Sequence, residues 1–346
     1  MVRSGRRPFL LSEASVTFMP PGEHLDGTTA ECAHLHLLLA CFRTSPPPMR
    51  LPEVTGRPLP EVLDTGIVDP DVFHTGYAIM AARYKQLGIR ALLPLERVWA
   101  GTGSAARPGT ARGHGGFHHP AQGYRHIQMD AAVTVFGDLT GRSAASPQAA
   151  ALDLVRSYAH DCLHYATFRR YRLTDRGEIA RVQYGINFRQ SDGRTYSAPD
   201  VPGDGPTHNL GIVMEGATDA EATAIARKTA QSCGITSADL GAGVPGLAFA
   251  DITGTVTADD IEAAALPDHP YARSLGRFGR TVTLRYCALL SELDASPADA
   301  HSQIVAAMIS GDLAPLEGWL DTRHGPGSFA RMFRAPSFGT ESELVR

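Results

Sequence analysis

The sequence predicts an α+β fold, and two observations carry that reading. Between residues 126 and 198 a half-buried strand pattern, a long helical pattern and a hairpin pattern follow one another. From residue 209 to about residue 333 helical patterns dominate.

Residues 28–42 read as a buried helix, and residues 70–87 as a second one with Val72, Phe73, Tyr77, Ile79, Met80 and Tyr84 at its apolar positions. The proline-rich stretch 46–60 between them reads as a loop, and residues 89–98 as a short strand. Residues 101–123 are dense in Gly, Pro, Ala and Arg and read as a linker. They carry His114, His118 and His119, with no spacing that fixes a metal geometry, so a solvated loop is the expectation.

From His126 the pattern sharpens. Ile127, Met129, Ala131, Val133 and Val135 alternate with more polar neighbours, which predicts a half-buried strand over residues 127–136. Ser146 and Pro147 form an N-cap followed by proline at the first helical position. The helix they open runs to about residue 171, with Leu152, Val155, Tyr158, Ala159, Cys162, Ala166 and Phe168 on its apolar stripe. A hairpin over residues 179–189 and 194–198 is expected around Ser191, Asp192 and Gly193. A second helix is expected over residues 209–233, stopping at Gly234. The organisation predicted is residues 1–125 as an N-terminal region of unassigned role, 126–334 as the main domain, and 335–346 as a tail.

Composition bounds the function. Apolar residues make up 43% and charged residues 20% of 346, which is ordinary for a globular chain. A formal charge of −4 gives no basic balance that points to nucleic acid. No apolar run approaches a membrane span, and the apolar stretch near the N-terminus, residues 8–11, is too short for a signal-peptide core. The expectation is a cytoplasmic protein, with a composition of the kind found in high-GC bacteria. Five scattered cysteines without a CxxC pair read as free thiols, with Cys162 a buried filler on the core side of its helix.

The chemistry sits on the two long helices. His160 and His164 are four residues apart, so both imidazoles lie on one helical face and can reach one ion. Glu215, in the run Met214-Glu215-Gly216-Ala217-Thr218-Asp219, follows an apolar Leu210-Gly-Ile-Val segment that places it beside a core. Two histidines and a glutamate leave the fourth tetrahedral position for water. Asp219 lies one turn beyond Glu215 and is placed to accept a hydrogen bond from a ligating ring.

Strand, His-x-x-x-His helix, hairpin and Glu-Gly-x-Thr helix together resemble the gluzincin metallopeptidases, in particular the compact minigluzincin-like forms. Tyr184-Gly-Ile-Asn-Phe188, Pro270-Tyr271, Ile309-Ser-Gly-Asp312 and Gly325-Pro-Gly-Ser-Phe329 fit the same resemblance, which covers residues 127–333. It implies a zincin-like fold: a small mixed sheet with an edge strand, residues 127–136, over the metal-binding helix, and a mainly helical C-terminal subdomain. It also implies Zn2+ held by His160, His164 and Glu215, an extended peptide or other amide substrate added along the edge strand, and an oxyanion stabiliser among Tyr271, Tyr184 and His208. The chain departs from the family at one position. The family has glutamate after the first histidine, as the base that takes the proton of metal-bound water, and here Asp161 stands there, one methylene shorter.

A hydrolase with Asp161 as base is the first expectation. A catalytically degenerate zinc protein used for binding or assembly is the second. A metal-dependent phosphohydrolase read from the adjacent His160-Asp161 pair is the third; it needs a further upstream histidine on a helix, and His126 lies in strand-like sequence.

Overall fold

The computed structural model describes residues 21–44, 54–66, 68–103, 117–118, 126–129, 146–190, 194–201, 203, 205–239, 247–264 and 275–335. The elements, in chain order, are β1 (Glu23–Leu25), α1 (Thr29–Thr44), β2 (Val54–Pro58), α2 (Leu59–Asp64), α3 (Pro70–Gln86), β3 (Val98–Gly103), β4 (Phe117–His118) and β5 (His126–Met129). They continue as α4 (Pro147–Ala166), β6 (Arg169–Leu173), β7 (Ile179–Tyr184), β8 (Asn187–Phe188), α5 (Leu210–Cys233), α6 (Ala248–Ile252) and α7 (Ala258–Ala264). The chain closes with α8 (Leu284–Leu293), α9 (Pro297–Ser310), α10 (Ala314–His324) and α11 (Ser328–Phe333). The α+β class is therefore as predicted, with a mainly helical C-terminal part.

Local chemistry sets the helix ends. Asp69 caps α3 through the amides of Asp71 and Val72, with Pro70 at the first helical position. Ser146 accepts from the Ala149 amide at 3.2 Å and Pro147 opens α4. Asn209 caps α5 through Gly211 and Ile212, and α5 stops at Gly234, whose φ of 67° a side-chain-bearing residue rarely adopts.

Strands, by contrast, are decided by partners. The first sheet has the order β1-β6-β7-β8, with β1 parallel to β6 and the other pairs antiparallel. The second has the order β2-β3-β5-β4, with β3 and β5 parallel. Four sequence expectations change accordingly. The first long helix ends at Ala166 and not near residue 171, because residues 169–173 find β1 on one side and β7 on the other. The main partner of β7 is β6, across the turn of residues 174–178; the expected pairing with residues 194–198 is present as the bridge Arg189 to Thr195 and as bonds from the Gln190 and Tyr196 amides to the Arg194 and Phe188 carbonyls, and residues 191–193 lie outside the described residues. Residues 95–97 form a 3-10 turn and the strand begins at Val98, so the ladder occupies the start of the expected linker. Val54–Pro58 is also a strand, inside the expected proline-rich loop.

The expected edge strand needs the same correction. His126 and Ile127 are paired with β3 on one side and β4 on the other, and residues 130–136 lie outside the described residues. That closes His126 and Ile127 to an added peptide, while Gln128 and Met129 are paired with β3 alone.

Helix α5 organises the interior. Ala222, Ile225, Ala226 and Ala230 pack into a core shared with α3 and α4. Leu210, Val213, Met214 and Ala217 pack into a second core with α8–α11. Gly216 lets α8 approach closely, since a Cβ there would stand 2.5 Å from the Tyr286 side chain. Cys162 is fully buried in the first core, and burial pushes its thiol up to about 12. All the cysteines are free thiols. No helix among the described residues is long and apolar enough to cross a membrane.

The two cores are also tied by charge. Buried Glu221 on α5 accepts from Arg83 Nε of α3 at 2.9 Å and meets His301 Nε2 of α9 at 3.0 Å, while His301 Nδ1 meets the Tyr286 hydroxyl at 2.9 Å. Burial would raise the Glu221 carboxyl, but its hydrogen bonds to Arg83 and His301 outweigh that and hold it at about 2. A folded-state pKa below the unfolded value contributes stability above the unfolded pKa, and that contribution is lost as pH falls through the folded one. Glu221→Gln is therefore expected to destabilise at neutral pH and to flatten the loss of stability between pH 4.5 and about 2. Urea unfolding of both proteins across that range checks it; parallel curves would disprove it.

Candidate metal centre

Helix α4 packs along α5, and that contact carries Glu215 to the face of α4 that displays His160 and His164. The Nε2 atoms of the two histidines are 3.0 Å apart. Glu215 Oε1 is 3.3 Å from His160 Nε2, and Oε2 is 3.2 Å from His164 Nε2. A tetrahedral ion with bonds of about 2.0–2.1 Å separates its ligand atoms by about 3.3 Å. The three donors thus already stand close to three corners of a tetrahedron. The donor set, two imidazole nitrogens and one carboxylate, is chemically suited to a divalent cation of intermediate softness. Among the described residues this is the one group of histidine, cysteine and acidic side chains that could hold a metal ion.

The electrostatics of the metal-free triad fit this arrangement. Burial disfavours a charged His160, yet Glu215, with Asp161 and Asp219 nearby, raises its pKa to about 9. Burial and the neighbouring His160 lower His164 despite Glu215. Burial would raise Glu215, but the two histidines hold its carboxyl well below the usual carboxylate range. A proton on His160 occupies the place a cation takes, so binding a metal releases that proton.

The other predicted residues fall as follows. Asp161 is 4% exposed, on the turn of α4 that bears both histidines, and its charge raises both rings' pKa values. Asp219 is close enough to His160 for their charges to act on each other, but it makes no hydrogen bond with either histidine among the described residues. Burial raises its carboxyl to about 6, against the opposing pull of Arg156 and His160. Tyr271 lies outside the described residues, as do His114 and His119. His208 is engaged elsewhere, 3.1 Å from Glu292 and edge-on to Phe333. His126 sits in a strand, which does not supply the helical histidine a phosphohydrolase site needs.

Tyr184 does what the sequence assigned to Asp219. Its hydroxyl is 2.8 Å from His164 Nδ1, the ring nitrogen turned away from the triad. A partner there fixes the tautomer that leaves Nε2 free for a metal. Tyr184 is placed by the antiparallel pairing of β6 with β7, which sets it opposite Arg169. Arg169, fully buried, donates to the Tyr165 carbonyl at 2.9 Å and to the His164 carbonyl, so one guanidinium closes the C-terminal turn of the metal helix. The sequence carried a signal for this in the run Arg169-Arg170-Tyr171-Arg172 directly after the helix, which the helical reading absorbed.

No protein-family model, curated protein or solved structure matches this chain.

Because Tyr184 orients only one of the two imidazoles, Tyr184→Phe is expected to weaken zinc binding about 10–100-fold while leaving the fold intact. Competition titration against a chromogenic chelator measures this, and an unchanged affinity would remove Tyr184 from the centre.

Proposed function

We propose that this chain is a zinc-dependent hydrolase acting on an amide bond, a metallopeptidase of the gluzincin type with a zincin-like fold. The observation that carries the reading is the spacing of 3.0 to 3.3 Å among the ligand atoms of His160, His164 and Glu215. The resemblance in the motifs of α4 and α5 adds to it. Zinc, when bound, lowers the pKa of its water toward about 7 and polarises a carbonyl. His160, His164 and Glu215 would hold the ion, and Tyr184 would keep His164 in the tautomer that ligates. Asp161 takes the proton of the attacking water and passes it to the leaving amine.

A second reading rests on one specific observation. Asp161 is shorter than the family's glutamate, and it is buried. A displacement of about 1 Å in a catalytic group can cost about a hundredfold in rate. The alternative is a degenerate zinc protein that binds without cleaving.

Metal analysis of the purified chain is expected to give one zinc per chain, and Glu215→Gln is expected to lower that content. With a peptide library as substrate, Asp161→Asn is expected to abolish turnover with zinc retained. Asp161→Glu distinguishes a drifted site, where activity rises or holds, from one tuned around the shorter carboxylate, where it falls. A wild-type chain that neither carries nor takes up zinc sinks both readings. Zinc without cleavage by the wild type or the Asp161→Glu variant selects the degenerate one.

A further inference from the structure

Away from the metal centre, α3 and the segment that follows it enclose a cavity of about 850 Å³. Tyr77, Ala81 and Lys85 stand four residues apart, so they share one face of α3 and form one wall. Gly88, with φ of 83°, turns the chain back, and the Ile89 amide bonds the Tyr84 carbonyl. The chain then returns along the helix. Buried Ile89 and Leu93 anchor it in the first core, and the Tyr158 hydroxyl donates to the Leu93 carbonyl. Tyr158 also stacks on Tyr77, with ring centroids 6.1 Å apart. Leu93 therefore lies at the Tyr77 end of the wall, and Ile89 at the Lys85 end. Leu92 and Leu95, half-buried, complete the apolar lining, and Ala81, small between a tyrosine and a lysine, leaves the hollow.

The two ends differ in charge. Exposed Lys85 and Arg90 stand at one end, and their side chains form no ion pair among the described residues. Glu96, whose charge acts on Tyr158, stands at the other. A concave, mainly apolar lining with a few polar groups at its mouth is the usual make-up of a small-molecule site, and the volume falls inside the usual range of about 300–1,000 Å³. Cations at one end complement a single negative head group, and the acid at the other end repels it, so the charge also sets a direction. From Tyr77 to Lys85 the helix rises about 12 Å, the reach of one short chain. The cavity is separate from the triad: Tyr158 and His160 are two residues apart on α4 and so face opposite sides of that helix.

We propose that this cavity binds a small amphipathic carboxylate of the medium-chain fatty acid type, with its head group between Lys85 and Arg90 and its tail along Ala81 toward Tyr77. The site goes beyond the hydrolase reading and needs no metal.

Isothermal titration of the full chain with octanoate, 1-octanol and octylammonium, each below its micellar range, tests this with and without zinc. Octanoate is expected to bind about 10-fold tighter than octanol in both forms, as a charge-assisted contact at a solvent-facing mouth allows, and octylammonium more weakly than either. Lys85→Gln combined with Arg90→Gln is expected to bring the acid down to the affinity of the alcohol. Ala81→Phe is expected to abolish binding of both by filling the hollow. Equal affinity for acid and alcohol, no binding of either at millimolar concentration, or an Ala81→Phe variant that still binds overturns the proposal. Octanoate that binds only when zinc is present reports a carboxylate on the metal and overturns it as well. A wild-type dimer that Ala81→Phe turns into a monomer puts a second copy in the cavity, against the small-molecule assignment. If Ala81→Phe does not fold, the wild-type comparison and the Lys85 and Arg90 double variant decide.

Discussion

The packing of α4 along α5 is the constraint on which the rest of the structure depends. His160 and His164 come together on any regular helix, but Glu215 reaches them only when the second helix lies against the first in one register. That register is held from both sides. One stripe of α5 fills the core with α3 and α4, and another fills the core with α8–α11. Gly216, next to the ligand, removes the side chain that would hold Tyr286 away. Sliding α5 along α4 would break both cores at once, so the ligand geometry draws on the packing of most of the helical residues.

Charge is handled differently in three places around that helix pair. Glu221 is saturated by Arg83 and His301, and it ties α3, α5 and α9 into one unit. Arg156, one turn before His160, is held between Asp153 and Asp251. At the centre itself Glu215 lies between the two imidazoles, and its charge raises the pKa of His160 to about 9.

The first sheet supports the centre from behind. β6 leaves α4 directly, so its register fixes the tyrosine that orients His164 and the arginine that closes the helix. Gln183 on β7, fully buried, donates to the carbonyls of Gly185 and Gly311, which anchors the same strand to the end of α9. A change in sheet register would therefore be felt at the imidazole, through the same tyrosine.

What the sequence determined by itself is local in origin. The cap at Ser146, the start of α5 near Asn209, its stop at Gly234 and the i,i+4 histidine pair all follow from the bonding capacity of neighbouring residues, which no distant contact is needed to set. Glu215 was legible as well, because an apolar run before a carboxylate forces it to the edge of a core. Tertiary structure decided the rest. Residues 169–173 carry enough helical pattern to extend α4, and they become strand because β1 and β7 offer backbone partners on both sides. The partner of β7, the two-sided pairing of His126 and Ile127, and the exchange of Asp219 for Tyr184 as the support of a ligating ring depend on residues far apart in the chain. Hydrogen-bond partners across a sheet leave no periodic trace in either strand, so only the folded chain could name them.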